Sequence, residues 1–156
     1  MLHCGLHAIN AILDSIQLCP YRSEDLDAIT RWIHCREKQL CPEAADTVPQ
    51  VEGNYPVETL LVALRKRGLS GQYERPHKGR YVLIRRTVVG FLIGTGNHYV
   101  AVTRMRGPGG RWRLVDNGRT TDQDPQSPYA LIGRMSAKPC AVICITDVRN
   151  NVSKSK

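Results

Sequence analysis

Hydrophobic positions along the chain follow two patterns, a helical one as far as Gly68 and a strand-like one beyond it. Leu6, Ile9, Ala11, Ile12 and Leu13 recur at helical spacing and predict a buried helix from near Cys4 to about Ser15. Cys19-Pro20-Tyr21 breaks that pattern, and Ser23-Glu24-Asp25-Leu26 reads as the cap of a second helix reaching about residue 35. Residues 36–53 are polar and punctuated by Pro42 and Pro49, which suits either the return arm of a helical hairpin or a loose flap. Val57, Leu60, Leu61, Ala63 and Leu64 then form a strongly amphipathic stripe, closed by Arg65-Lys66-Arg67 and Gly68. From Leu69 the apolar runs become short and β-branched, predicting strands over 72–74, 81–84, 88–93, 99–105 and 112–116, with Gly107-Pro-Gly-Gly110 as the last turn. A short helix over 128–135 and a strand over 141–146 complete the chain. The expected class is α+β, N-terminal helices followed by an antiparallel sheet, in one domain over 1–150 with a basic tail over 151–156.

Composition narrows the partners. At 156 residues and 17.5 kDa the chain builds a core without disulfide staples. Its six cysteines sit in apolar settings, with Cys140 and Cys144 spaced to share one strand face as core packing, so a reducing compartment is expected. His34, Cys35 and Cys41 contain no Cys-x-x-Cys pair, and neither a metal nor a cofactor is expected. The net charge of +8 is spread over several short basic clusters. With one Phe and two Trp the chain has no base-stacking platform, which argues against nucleic acid as the partner. No apolar run approaches the roughly 20 residues of a membrane span, and no basic leader opens the chain. A soluble, monomeric, intracellular protein of cytoplasm or nucleus is the expectation.

The candidate chemistry starts at Cys4. At the mouth of the first helix, free backbone N–H groups and the helix dipole favour the thiolate, which is the nucleophilic form. Gly5 is expected to let a substrate backbone come close. A cysteine nucleophile needs a base, and the base needs an orienting partner. His98 opens a strand just after Gly94-Thr-Gly96-Asn97, read as a flexible lip where substrate approaches, and Asp116 ends the returning strand. A hairpin turn centred on Gly107 sets His98 directly opposite Asp116, while a shift of one residue brings Asn117 there instead. His7 lies one turn after Cys4 and points along the helix, so it reads with Asn10 as support. His3 is expected to face away, and His34 and His77 have no visible partner.

Taken together, Cys4-Gly-Leu-His7-Ala-Ile-Asn10, Gly53-Asn54 leading into Val57-Glu-Thr-Leu-Leu-Val-Ala-Leu64, His98-Tyr-Val-Ala-Val and Trp112-Arg-Leu-Val-Asp116 resemble the Josephin family of papain-like cysteine deubiquitinases. The likeness extends over nearly the whole chain, the 129–145 helix-strand ending included. It implies a papain-like fold and hydrolysis of the isopeptide bond at the C-terminus of ubiquitin, with ubiquitin or polyubiquitin as partner. It casts Cys4 as nucleophile, His98 as general base and acid, and Asp116 as orienting residue. His7 and Asn10 match supporting positions, and Gly96 and Asn97, with Gly5, fall where substrate binds. Residues 22–52 match the family's mobile helical hairpin that gates ubiquitin. The family's glutamine, which donates to the oxyanion from a few residues ahead of the cysteine, has no counterpart in the three residues before Cys4; either it lies ahead of the given sequence or backbone N–H groups such as that of Cys4 serve. A papain-like protease acting on a polyprotein and a ubiquitin-binding module with weak catalysis are the alternative readings.

Overall fold

The computed structural model describes residues 3–44, 53–74, 86–106 and 109–149. The chain runs α1 (Cys4–Ser15), α2 (Ser23–Leu40), a single 3-10 turn (Pro42–Ala44), α3 (Val57–Lys66), β1 (Leu69–Tyr73), β2 (Val88–Gly94), β3 (Tyr99–Arg104), β4 (Trp112–Asp116), β5 (Arg119–Asp124), α4 (Pro128–Arg134) and β6 (Ala141–Asp147). The class is α+β, and the six strands form one antiparallel sheet in the order β1-β6-β2-β3-β4-β5. The strand expected over 81–84, much of the gating segment, the Gly107-Pro108 half of the turn, His77 and the basic tail lie outside the described residues.

β2 reads Val-Val-Gly-Phe-Leu-Ile-Gly, and all seven of its positions are buried. A strand with no polar face belongs at the centre of a sheet covered on both sides. Helices α1, α2 and α3 cover one side, where Ile9, Ile12, Leu13, Leu60 and Leu64 meet Leu92, Ala101, Val115, Ile143 and Ile145. The other side is covered by α4, whose Leu131 packs with Phe91, Ile93, Val100, Val102 and Trp112. Phe91 joins this second core through ring contacts, tilted against Trp112 with centroids 5.9 Å apart and edge-on to Tyr129 at 5.5 Å. Burying each such large side chain contributes about 1.5–3 kcal/mol, so the two cores together fix the sheet between its helical layers.

Four elements differ from expectation. Helix α2 continues to Leu40, because Arg-Glu-Lys-Gln-Leu are good helix formers and no breaker occurs before Pro42. Strand β1 starts as soon as Gly68 releases α3, three residues ahead of the expected strand. Strand β5 is an unanticipated edge strand. Cys140 is exposed and lies ahead of β6, so it does not share a core face with Cys144. The half-buried Cys144 thiol is pushed up to about 12, first by burial and then by Glu74. All six cysteines are free thiols. Among the described residues no helix is long and apolar enough to cross a membrane.

Candidate active site

Two tight hairpins and one helix start converge at one end of the sheet. The β2–β3 hairpin closes where Gly94 pairs with Tyr99 and the Thr95 N–H donates to the His98 carbonyl at 2.8 Å, leaving Gly96 and Asn97 as its central residues. Gly96 has φ +77°, as the first central position of a type II′ turn requires. The β4–β5 hairpin pairs Asp116 with Arg119 around Asn117 (φ 47°) and Gly118 (φ 77°), both left-handed as in a type I′ turn. The segment expected to be a flexible lip is therefore a tight turn, and the acidic residue is set by a second one.

His98 and Asp116 meet, with Nε2 2.7 Å from Oδ1, but not as direct cross-strand partners. Ala101 pairs with Val115 and Val102 with Leu114, which places Val100 opposite Asp116 and His98 opposite the position of Gly118. The imidazole reaches Asp116 along the diagonal of the ladder, a span long side chains cover. Neither the expected register nor its one-residue alternative is the one formed. Next to Asp116, Leu114 pairs with Asp122 and Val115 with Thr120, so Thr121 is an extra residue. That bulge adds local twist where β4 delivers its last side chain.

Cys4 is the first residue of α1, 2% exposed, and its Sγ lies 4.0 Å from the carbonyl oxygen of Asn97, the residue before His98. His98 itself is one-fifth exposed, and its Nδ1 is buried with no hydrogen-bond partner among the described residues. The pair with Asp116 thus engages Nε2 and leaves Nδ1 for another group.

His3 occupies the helix cap with φ 76° and ψ 13°, a left-handed conformation costly for a residue with a side chain. Its N–H donates to the Gly53 carbonyl at 2.9 Å, and its Nδ1 is buried, so it does not simply face away. This tie holds the start of α1 against the segment leading into α3. Asn117 beside Asp116 is also left-handed, a conformation that Asn adopts readily in a type I′ turn. No sequence signal marked His3, whereas Asn117-Gly118 is a recognised hairpin dipeptide.

Asn10 clamps the Tyr21 backbone, its Nδ2 donating to the carbonyl (2.9 Å) and its Oδ1 accepting from the N–H (2.8 Å). His7 is exposed and shares no such bond with Asn10; its Nδ1 would lie 3.7 Å from a Cβ on Gly118. Gly96 and Asn97 are exposed at the turn, open to approach. Gly5 has a different reason to be glycine from the expected one, since a Cβ there would meet both Leu60 methyls at 3.1 Å. Its bare side seats α1 on α3. Among the described residues no three His, Cys, Asp or Glu side chains gather to hold a metal ion.

Because Gly118 is left-handed, Gly118→Ala is expected to cost about 1–2 kcal/mol, and Gly118→Asn much less, since Asn adopts that region. Asp116 should lose its aim in step. Thermal melts and turnover measured on both variants check this, and equal turnover in the two would separate the turn from Asp116. No protein-family model matches the chain and no curated protein matches it, so the reading of this site rests on its geometry and on the resemblance in its sequence.

Proposed function

We propose that the chain is a papain-like cysteine hydrolase of Josephin type that cleaves the bond after the C-terminal glycine pair of ubiquitin. The observation that carries this reading is the His98–Asp116 pair, 2.7 Å apart, directly after Asn97, whose carbonyl oxygen lies 4.0 Å from the Cys4 Sγ. In this reading Nε2–H donates to Asp116 Oδ1, which fixes the tautomer and leaves the lone pair of Nδ1 for the thiol proton. The sulfur attacks the scissile carbonyl, and the amide of Cys4 donates to the oxygen as it gains charge. The imidazolium returns its proton to the departing lysine amine, and water, deprotonated by the same ring, releases the acyl group.

The near-complete burial of Cys4 supports a slender substrate. A tail without side chains at its last positions, such as a glycine pair, suits an approach past the Asn97 carbonyl to this buried sulfur. Replacing the penultimate glycine of ubiquitin by alanine is expected to slow cleavage about 10²-fold, because misplacing the scissile carbonyl by about 1 Å costs that much. The experiment uses two fluorogenic ubiquitin substrates, one with the natural tail and one with alanine in the penultimate position. Equal rates on both would discard the deubiquitinase reading in favour of a protease with an open cleft. Binding of ubiquitin with no turnover of either would favour a ubiquitin-binding module.

A further inference from the structure

Resting on that reading, we propose that Tyr99 is the residue that sets the demand for glycine: its ring fills the subsite of the penultimate residue, and its hydroxyl donates to a backbone carbonyl of the substrate tail. Tyr99 follows His98 directly and packs at the rim of the core shared by α1 and α3, the side of the sheet from which Cys4 approaches. Across the sheet it stands in one row with Gly94 and Ala141, the two smallest residues available. A Cβ on Gly94 would lie 3.6 Å from the Tyr99 ring edge, 3.7 Å from the Ala141 methyl and 3.7 Å from the Cys140 sulfur. The Tyr99 ring thus lies against the Gly94 end of the sheet, at van der Waals distance from where a side chain on Gly94 would stand. An extended tail rises about 3.3 Å per residue, so with its last carbonyl at Cys4 the residue before it falls within reach of this ring.

The hydroxyl gives a second, independent indication. Tyr21 donates to the Ala63 carbonyl, Tyr55 to Asp27, and Tyr129 to Glu74. Tyr99, also partly buried, has no hydrogen-bond partner among the described residues. Burial, reinforced by nearby Glu58, pushes its phenol above the ordinary tyrosine range, so it stays protonated as a donor. A partly buried donor beside the nucleophile, without an acceptor of its own, suits the carbonyl of an incoming backbone.

The test measures kcat/KM of wild type, Tyr99→Phe and Tyr99→Ala on ubiquitin substrates with glycine or alanine in the penultimate position, together with alkylation of Cys4 by iodoacetamide. The wild type should prefer glycine about 10²-fold. Tyr99→Ala should bring that preference below about tenfold by opening the subsite. Tyr99→Phe should keep the preference while losing about fivefold to tenfold in kcat/KM on the glycine substrate, the worth of one hydrogen bond. Alkylation rates and melting temperature of Tyr99→Phe should match the wild type, which a merely structural role for the hydroxyl would not allow. An unchanged preference in Tyr99→Ala, or an unchanged rate in Tyr99→Phe, overturns the proposal and leaves the deubiquitinase reading standing. A wild type without preference overturns both.

Discussion

Cys4→Ala is expected to abolish hydrolysis and to leave the fold in place. Cys4 is buried, but alanine in its place removes a single sulfur atom and keeps the Cβ, so little packed volume is lost. A cost of about 1 kcal/mol is expected, well within what a domain of this size tolerates. The chemical cost is of another order. Without the sulfur no acyl-enzyme forms, and turnover of a fluorogenic ubiquitin substrate should drop by on the order of 10⁴-fold or more, to what binding and the oxyanion contacts sustain alone. Residual turnover near the wild-type rate, in a variant whose melting temperature has hardly moved, would mean that another group attacks.

The second large effect is expected at the His98–Asp116 pair, which in the proposed mechanism serves the sulfur. His98→Ala removes the proton carrier and should cost about 10²–10⁴-fold. Asp116→Ala leaves the ring free to turn and to take the wrong tautomer, and a loss of about 10²-fold is expected. Asp116→Asn retains an oxygen that accepts from Nε2–H, so it should keep a substantial part of the activity. The control is Asn117→Gly, which preserves the left-handed turn and should leave turnover within a few-fold of the wild type. A loss in Asn117→Gly as deep as that in Asp116→Ala would move the orienting role from Asp116 to Asn117.

Much of the fold was legible because the elements that form the cores carry their own periodicity. The stripe of Ile9, Ile12 and Leu13 and that of Leu60, Ala63 and Leu64 can bury only as helices, and the apolar run of β2 can sit only in the middle of a sheet. The edge was not legible. Strand β5 is Arg-Thr-Thr-Asp-Gln-Asp, with nothing to bury; what holds it is the ladder with β4 and Arg134 reaching from α4 to Asp122 and Asp124. Its one signal is the Asn117-Gly118 hairpin dipeptide, which the strand pattern alone does not extend to the strand beyond. The candidate pair shows a similar division. That His98 and Asp116 approach each other followed from strands joined by a short turn, whereas the diagonal between them depended on a turn centre one residue later than its glycines suggested. Gly5 was read for a substrate when its neighbour is Leu60, a contact made by a helix more than fifty residues along the chain, which no local pattern carries.

The separation in sequence between the parts of this site bears on how the protein folds. His98 and Asp116 are 18 residues apart and belong to consecutive hairpins, while Cys4 meets the Asn97 carbonyl across 93 residues. Closing the longer loop costs about 1.5 kcal/mol more chain entropy than closing the shorter one. The β2–β3–β4–β5 meander is therefore expected to form first, with the acid-base pair already joined, and α1 to dock on it afterwards. During folding, and in any transient opening that lifts α1 from the sheet, Cys4 is separated from Asn97 and from the His98–Asp116 pair that follows it, so under the proposed mechanism the thiol is activated only once this long-range contact closes.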